Sequence, residues 1–319
     1  VIGRKAIKVS QCRFDEICYD TLMIDVKTCP ICGSDKRKTI REATFDPGNI
    51  NSSDFRITDN RYGHCWTFKR CSECAMVYAD PSPQPDDLIR FYSQLDDQEY
   101  GEEADGRAKN FKTILKRLKK TPTPGLRLLD IGSANGLFVH LAREQGYLAE
   151  GIEPSLSLVK EAQNRYGIEL YSGTLETFSA KNLFDTVTLL DLIEHISDPG
   201  TFLSKVNRLM NQDGILVIVT PDIESLAARL LKRRWWHHRI AHINFFPLST
   251  LELLLRNCGF QLLKKRRYAW HFSALYLTSR LIPLHFMPSG LQNLLKKINL
   301  KVQLFDSWEI YAQKSHSLP

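Results

Sequence analysis

Residues 128–138, Leu128-Leu129-Asp130-Ile131-Gly132-Ser133-Ala134-Asn135-Gly136-Leu137-Phe138, run from an apolar strand through a glycine turn into an amphipathic helix with no spacer. Few folds accept that succession. It fixes a strand whose carboxyl end opens onto a helix N-terminus, with glycines where backbone must pass close to a ligand. The pattern then continues. Short apolar strands are expected at 126–131, 149–152, 169–171, 186–190 and 215–219, followed by 261–269 and 307–313. Amphipathic helices fall between them at 135–145, 155–166, 199–210 and 249–257. Alternation of this kind predicts an α/β fold with a parallel sheet and crossover helices.

A second strand ends in Gly151-Ile152-Glu153-Pro154, which puts Glu153 23 residues beyond Asp130. That is close to the roughly 20-residue separation at which a carboxylate reaches ribose hydroxyls in such a sheet. The plain alternative is a helix cap, since acidic residues commonly precede helices. The dinucleotide fingerprint requires Gly-x-Gly-x-x-Gly, and its middle and last positions here are Ala134 and Leu137, so a nicotinamide cofactor is disfavoured.

The stretch Asp130 to Gly136 resembles the first motif of the class I S-adenosylmethionine (SAM)-dependent methyltransferases, with Ala134 in place of the middle glycine. The likeness continues through Phe184-Asp185-Thr186-Val187-Thr188-Leu189-Leu190-Asp191-Leu192-Ile193-Glu194-His195 and Asp213-Gly214-Ile215-Leu216-Val217-Ile218-Val219, over about residues 110 to 313. The resemblance implies a Rossmann-like sheet, mostly parallel with its last strand antiparallel, and SAM as cofactor. It implies that Asp130, Gly132, Ser133, Asn135 and Gly136 form the turn facing the amino-acid part of SAM. Glu153 would meet the ribose and the Thr174 loop the adenine, although Thr174 stands where many relatives carry Asp. Asp191, Leu192 and His195 would floor the site near the sulfonium.

Ahead of this region lie two Cys-x-x-Cys pairs, Cys29/Cys32 and Cys71/Cys74. Four thiolates close a tetrahedral zinc shell with no open position, so the metal would be structural. The 38 residues between the pairs exceed the usual spacing. A hairpin is therefore expected around 46–62, and His64 or Cys65 is an alternative ligand. Cys12 and Cys18 have no partner at ligand spacing. A small zinc-ribbon-like module is expected over 1–80, a proline-rich linker and helical cap over 81–124, with helices at 86–95 and 107–118, and the SAM-binding domain over 125–319. The module and the following Leu88-Ile89-Arg90-Phe91-Tyr92 are similar to bacterial methyltransferases of surface-glycan and nucleotide-sugar pathways. In those relatives they help shape the acceptor pocket.

Methyl transfer to a hydroxyl needs alignment, exclusion of water and removal of a proton, and histidine suits the last task. His242, His195 and the pair His237-His238 are the candidates. The stretch Ala241-His242-Ile243-Asn244-Phe245-Phe246 is similar to one in zinc-containing sugar C-methyltransferases, but Ala241 replaces their Glu and their extra C-terminal domain is missing, which favours O-methylation. No Asn/Asp-Pro-Pro-aromatic motif follows the fourth strand, so nucleobase N-methylation is disfavoured. The expected acceptor is a small molecule: a sugar, a sugar nucleotide or a lipid-linked glycan. An RNA methyltransferase and a non-catalytic SAM-binding scaffold are the competing readings.

The formal charge of +7 is spread over short runs and reads first as solvated surface. The insertion at 270–304 is expected to be a helical lid packed on the core, with peripheral membrane contact as its functional alternative. Neither a leader nor a membrane-spanning run is visible, which predicts a cytoplasmic protein.

Overall fold

The computed structural model describes residues 23–58, 61–97, 104–279 and 284–315; Cys12 and Cys18 lie outside them. A seven-stranded sheet forms the centre. Its strands are β1 Arg127–Ile131, β2 Leu148–Glu153, β3 Tyr171–Ser172, β4 Phe184–Leu190, β5 Met210–Pro221, β6 Phe260–Arg267 and β7 Ser307–Lys314, in the spatial order β6-β7-β5-β4-β1-β2-β3. Neighbouring pairs from β3 to β5 are parallel, while β7 runs antiparallel to both β5 and β6. The Rossmann-like topology expected from the sequence is therefore present.

The alternation of side chains explains why these strands read as continuous apolar runs. Leu129 of β1 and Leu216 and Ile218 of β5 point into one core with Leu203, Val206, Leu251 and Leu254 from the helices Pro199–Arg208 and Leu248–Asn257. Leu128, Ile215 and Val217 point the other way, onto Phe138, Val139 and Leu141 of the helix Leu137–Glu144. A strand covered on both faces has no polar side to show. The helix ends carry local signals: the Ser155 and Asp198 side chains accept from Leu158 N and Thr201 N, and Gly167 closes its helix at φ 64°.

The N-terminal region is not a separate body. Its strands Arg37–Arg41, Phe68–Cys71 and Val77–Ala79 are extended by Asn244–Phe245, which pairs with Val77 and Tyr78 from far along the chain. Cys29, Cys71, Met76 and Tyr78 share the core of Leu129 and Leu216. The proline-rich segment also pairs, Ser82–Pro83 lying against Met23–Ile24, and leads into the helix Pro85–Ser93 and then Ala104–Leu118.

Two expectations are corrected. The hairpin expected at 46–62 is replaced by the turns Pro47–Asn49 and Ser52–Phe55, the second held by a capping box in which Asn51 and Asp54 satisfy each other's backbone. Pro47 and Gly48 interrupt any strand alternation, and the turn delivers Phe55 to the interior. The 270–304 insertion is only partly helical. Trp270–Ser273 pairs antiparallel with Asn299–Val302 and forms a stem for the helices Ala274–Ser279 and Ser289–Lys297. Trp270 and Phe272 alternate as strand residues, and the Asn110 side chain of the helix beneath accepts from His271 N at 2.8 Å.

Candidate active site

The strand order reverses between β1 and β4, and a cavity of about 1170 Å³ opens at the carboxyl ends of the strands there. Gly132, Glu153, Thr174, Asp191 and Leu192 line it, as do His195, His237 and His242. Asp130, Ser133, Asn135 and Gly136 stand behind the lining and shape the turn. The Asp130 Oδ1 accepts from Thr188 Oγ1 at 2.5 Å, Ser133 Oγ donates to Asp130 O, and Asn135 Nδ2 donates to Glu161. Gly132 N and Ser133 N both donate to Ile152 O, tying the turn to the end of β2.

Glu153 is buried, and its carboxylate accepts from Ala134 N at 2.8 Å and Ser155 N at 2.9 Å. Burial pushes its carboxyl up to about 7 against the lowering by these two N–H groups. Asp130 and Asp191 are likewise pushed up to about 7, chiefly by burial. Left-handed backbone collects here: Gly132 adopts φ 77° without cost, while Ala134 at φ 47° and Asp191 at φ 53° are strained. A Cβ on Gly132 would meet Leu192 Cδ1 at 3.1 Å. The turn is thus a backbone cradle, with a carboxylate acceptor and the apolar Ile152, Leu175 and Leu192 beside it. Such a set matches the ribose, adenine and amino-acid parts of SAM.

A histidine cluster also lines the cavity. His195 ends the 3₁₀ turn Ile193–His195 that follows β4. Its Nδ1 lies 2.8 Å from Ala241 O and 2.7 Å from Tyr92 Oη. A carbonyl only accepts, so the proton sits on Nδ1 and Nε2 keeps its lone pair. Burial pushes His195 down to about 4, leaving it neutral. The His242 ring packs edge-on against it at 4.8 Å, also held well below the ordinary histidine range by burial. His237 stacks on His242 and brings Nε2 to 3.2 Å from Asp306 Oδ2. His238 is separate, buried among Phe68, Trp235 and Phe245.

Glu194, His195 and His242 each place a potential ligand atom within 4.8 Å of the others. Glu194 nevertheless accepts from Thr220 Oγ1, and burial with the neighbouring Asp191 holds its carboxyl well above the usual range.

Cys29, Cys32, Cys71 and Cys74 converge on one point. The Sγ atoms of Cys29 and Cys74, and of Cys32 and Cys71, are 3.5 Å apart. That is far beyond the disulfide bond length and close to the edge of a tetrahedron with Zn–S of about 2.3 Å. The described residues of the cluster include neither His64 nor Cys65, and Cys65 instead lies buried beside Thr44.

A family model described as a methyltransferase domain matches residues 100–265. The chain belongs to this methyltransferase family. Among its curated relatives are ubiquinone biosynthesis O-methyltransferases. That of Azorhizobium caulinodans is 28% identical over 154 residues, covering 44% of this chain and 61% of the relative. That of Rhodopseudomonas palustris is 34% identical over 101 residues, covering 30% and 40%. The match therefore spans less than two thirds of these relatives' length. Solved structures with a similar chain include a magnesium protoporphyrin IX methyltransferase from Synechocystis with bound SAH, at 17% identity, 72% and 94% coverage and a TM-score of 0.45. A SAM-dependent methyltransferase from Thermotoga maritima follows at 19% identity, 68% and 94% coverage and a TM-score of 0.45.

Several residues of the cavity wall belong to no recognisable motif. Tyr92 was visible only as part of a segment. Phe55, Tyr62, Trp236 and Arg239 line the cavity from loops whose spacing carries no chemical signature. The run His237-His238-Arg239 was the nearest available hint.

Proposed function

We propose that the chain is a SAM-dependent O-methyltransferase of small-molecule hydroxyl groups. One observation carries this reading: a single cavity is lined both by Gly132 and Glu153 and by His195, His237 and His242. SAM, when bound, supplies an electrophilic methyl group. The chain's residues do the rest. Glu153 accepts from the ribose hydroxyls, Gly132 leaves room for the amino-acid part, and Asp191 and Leu192 border the transfer point. Asp130, Ser133, Asn135 and Gly136 hold the turn, and Thr174 borders the adenine slot. His195, oriented by Ala241 O and Tyr92, accepts the acceptor's proton at Nε2, with His242 as its neighbour in that task.

For the acceptor we favour a sugar, nucleotide sugar or glycan intermediate. Arg56, Arg234 and Arg239 line the cavity and suit an anionic group on it. Aromatic walls from Phe55, Trp236 and Phe272 favour a second reading, a phenolic hydroxyl, in keeping with the relatives' names. The four-thiol cluster would hold a structural zinc through Cys29, Cys32, Cys71 and Cys74.

The test is methyl transfer from labelled SAM to a panel of nucleotide sugars, free sugars and catechols, with product atoms assigned by NMR. His195→Ala is expected to lower kcat roughly 10²-fold or more, with SAM affinity preserved. Methylation at carbon or at a nucleobase nitrogen, or full activity without either His195 or His242, would overturn the reading.

A further inference from the structure

We infer that the 270–304 insertion and the neighbouring segment 226–234 form a docking surface for an anionic lipid bilayer. Charge partition is the first observation. Residues 226–234 and 270–304 together carry eight Lys or Arg residues and no acid, more than the whole net charge of +7. The remainder of the molecule is net acidic.

The second observation is apolar. The helix Ser289–Lys297 has no buried residue, yet it sets Leu291, Leu294 and Leu295 on one stripe that Ile298 continues just past its end. Leu291, Leu294 and Ile298 are exposed, and Phe286, Leu300 and Phe305 around them are exposed too. Lys296, Lys297 and Lys301 flank this stripe. The helix Leu226–Leu231 repeats the arrangement with exposed Leu226 and Leu230 before the exposed Lys232, Arg233 and Arg234. The two patches adjoin: Tyr276 of the insertion meets Tyr62 across their hydroxyls, and the next residue, Gly63, packs its Cα against Arg233 O.

Aliphatic stripes bordered by cations fit the headgroup–acyl boundary of an anionic membrane, where apolar faces sink in and lysines meet lipid charge. RNA would use the cations but leave the leucines unemployed, since bases stack on aromatic faces. A second copy in a symmetric pair would set cation against cation. No described helix is long and apolar enough to cross a membrane, so the contact is peripheral. Arg234 and Leu304 belong to both the exposed surface and the cavity wall, so docking here brings the cavity to the membrane.

Co-sedimentation of the full chain with vesicles tests this. Binding to one-to-one phosphatidylcholine–phosphatidylglycerol vesicles is expected to exceed binding to phosphatidylcholine alone by roughly tenfold or more. The double variants Leu291→Glu with Leu294→Glu, and Lys296→Ala with Lys297→Ala, should each weaken it by roughly tenfold. Both should bind SAH as the parent does, because none of these residues lines the cavity. Equal binding to both vesicle types would overturn the inference, as would binding that ignores the leucine changes. Tighter binding of poly-uridine than of vesicles would assign the surface to nucleic acid. A dimer dissolved by the leucine changes, with no vesicle binding, would assign it to a second copy.

Discussion

Ala134 shows how a departure from a motif is accommodated. It occupies the left-handed region at φ 47°, where a Cβ costs roughly 1–2 kcal/mol, and its N–H donates to Glu153. Ala134→Gly should relieve that strain while freeing the unfolded chain. The expected result in urea unfolding is a change between zero and about 1 kcal/mol of added stability, with SAH affinity kept. Glu153 itself sets a pH dependence. Its carboxyl is raised to about 7 by burial, and on the proposed function it would accept from the ribose hydroxyls most strongly when ionised. SAH affinity measured from pH 8 to 5 should be flat above about 7 and fall as pH drops below it; Asp191, also near 7, acts in the same direction. Affinity independent of pH would remove the carboxylate from the contact. Glu153 was legible in the sequence because its distance from Asp130 is fixed by one strand–helix–strand unit. Tyr92, Arg239 and Asp306 were not, because folding brings them to His195 and His237 from remote segments.

At the scale of elements, the glycine turn and its helix are a unit. Gly136 caps the helix Leu137–Glu144 at φ 75°, and a Cβ there would stand 2.9 Å from Ala162 Cβ, which has no rotamer with which to yield. Gly136→Ala should cost about 2 kcal/mol or more in urea unfolding and weaken SAH binding with it. The thiol cluster is the second unit. Treating the chain with a mercurial reagent should release one zinc ion, and Cys71→Ser should lower Tm by several degrees and abolish that release. A chain that purifies with no zinc and loses no stability in the variant would leave the thiols as packing. The central strands were readable because burial on both faces makes them apolar throughout. The module's strands were not, since they are three to five residues long and differ in burial, Arg37–Arg41 being mostly exposed and Val77–Ala79 wholly buried. Their fourth partner, Asn244–Phe245, offers only two residues of pattern.

Across the whole molecule, the cavity is a product of several segments. The sheet contributes its carboxyl ends, the segment between the two cysteine pairs Phe55 and Tyr62, the helices Pro85–Ser93 and Ala104–Leu118 Tyr92 and Arg107, and the insertion Phe272 and Tyr276. The N-terminal region thereby contributes part of the cavity wall. Its attachment through Asn244–Phe245 places it directly beside His242. Phe245 is wholly buried where the module meets this strand. Phe245→Ala should cost roughly 3–5 kcal/mol in unfolding.

On the proposed function, the cavity binds SAM through Glu153. Calorimetric titration of the full chain with SAH, beside Glu153→Ala shown by circular dichroism to be folded, tests it most directly. The account predicts micromolar binding to the parent and a loss of at least tenfold in the variant. Equal affinity in the two proteins, or no heat from a folded parent, would contradict it.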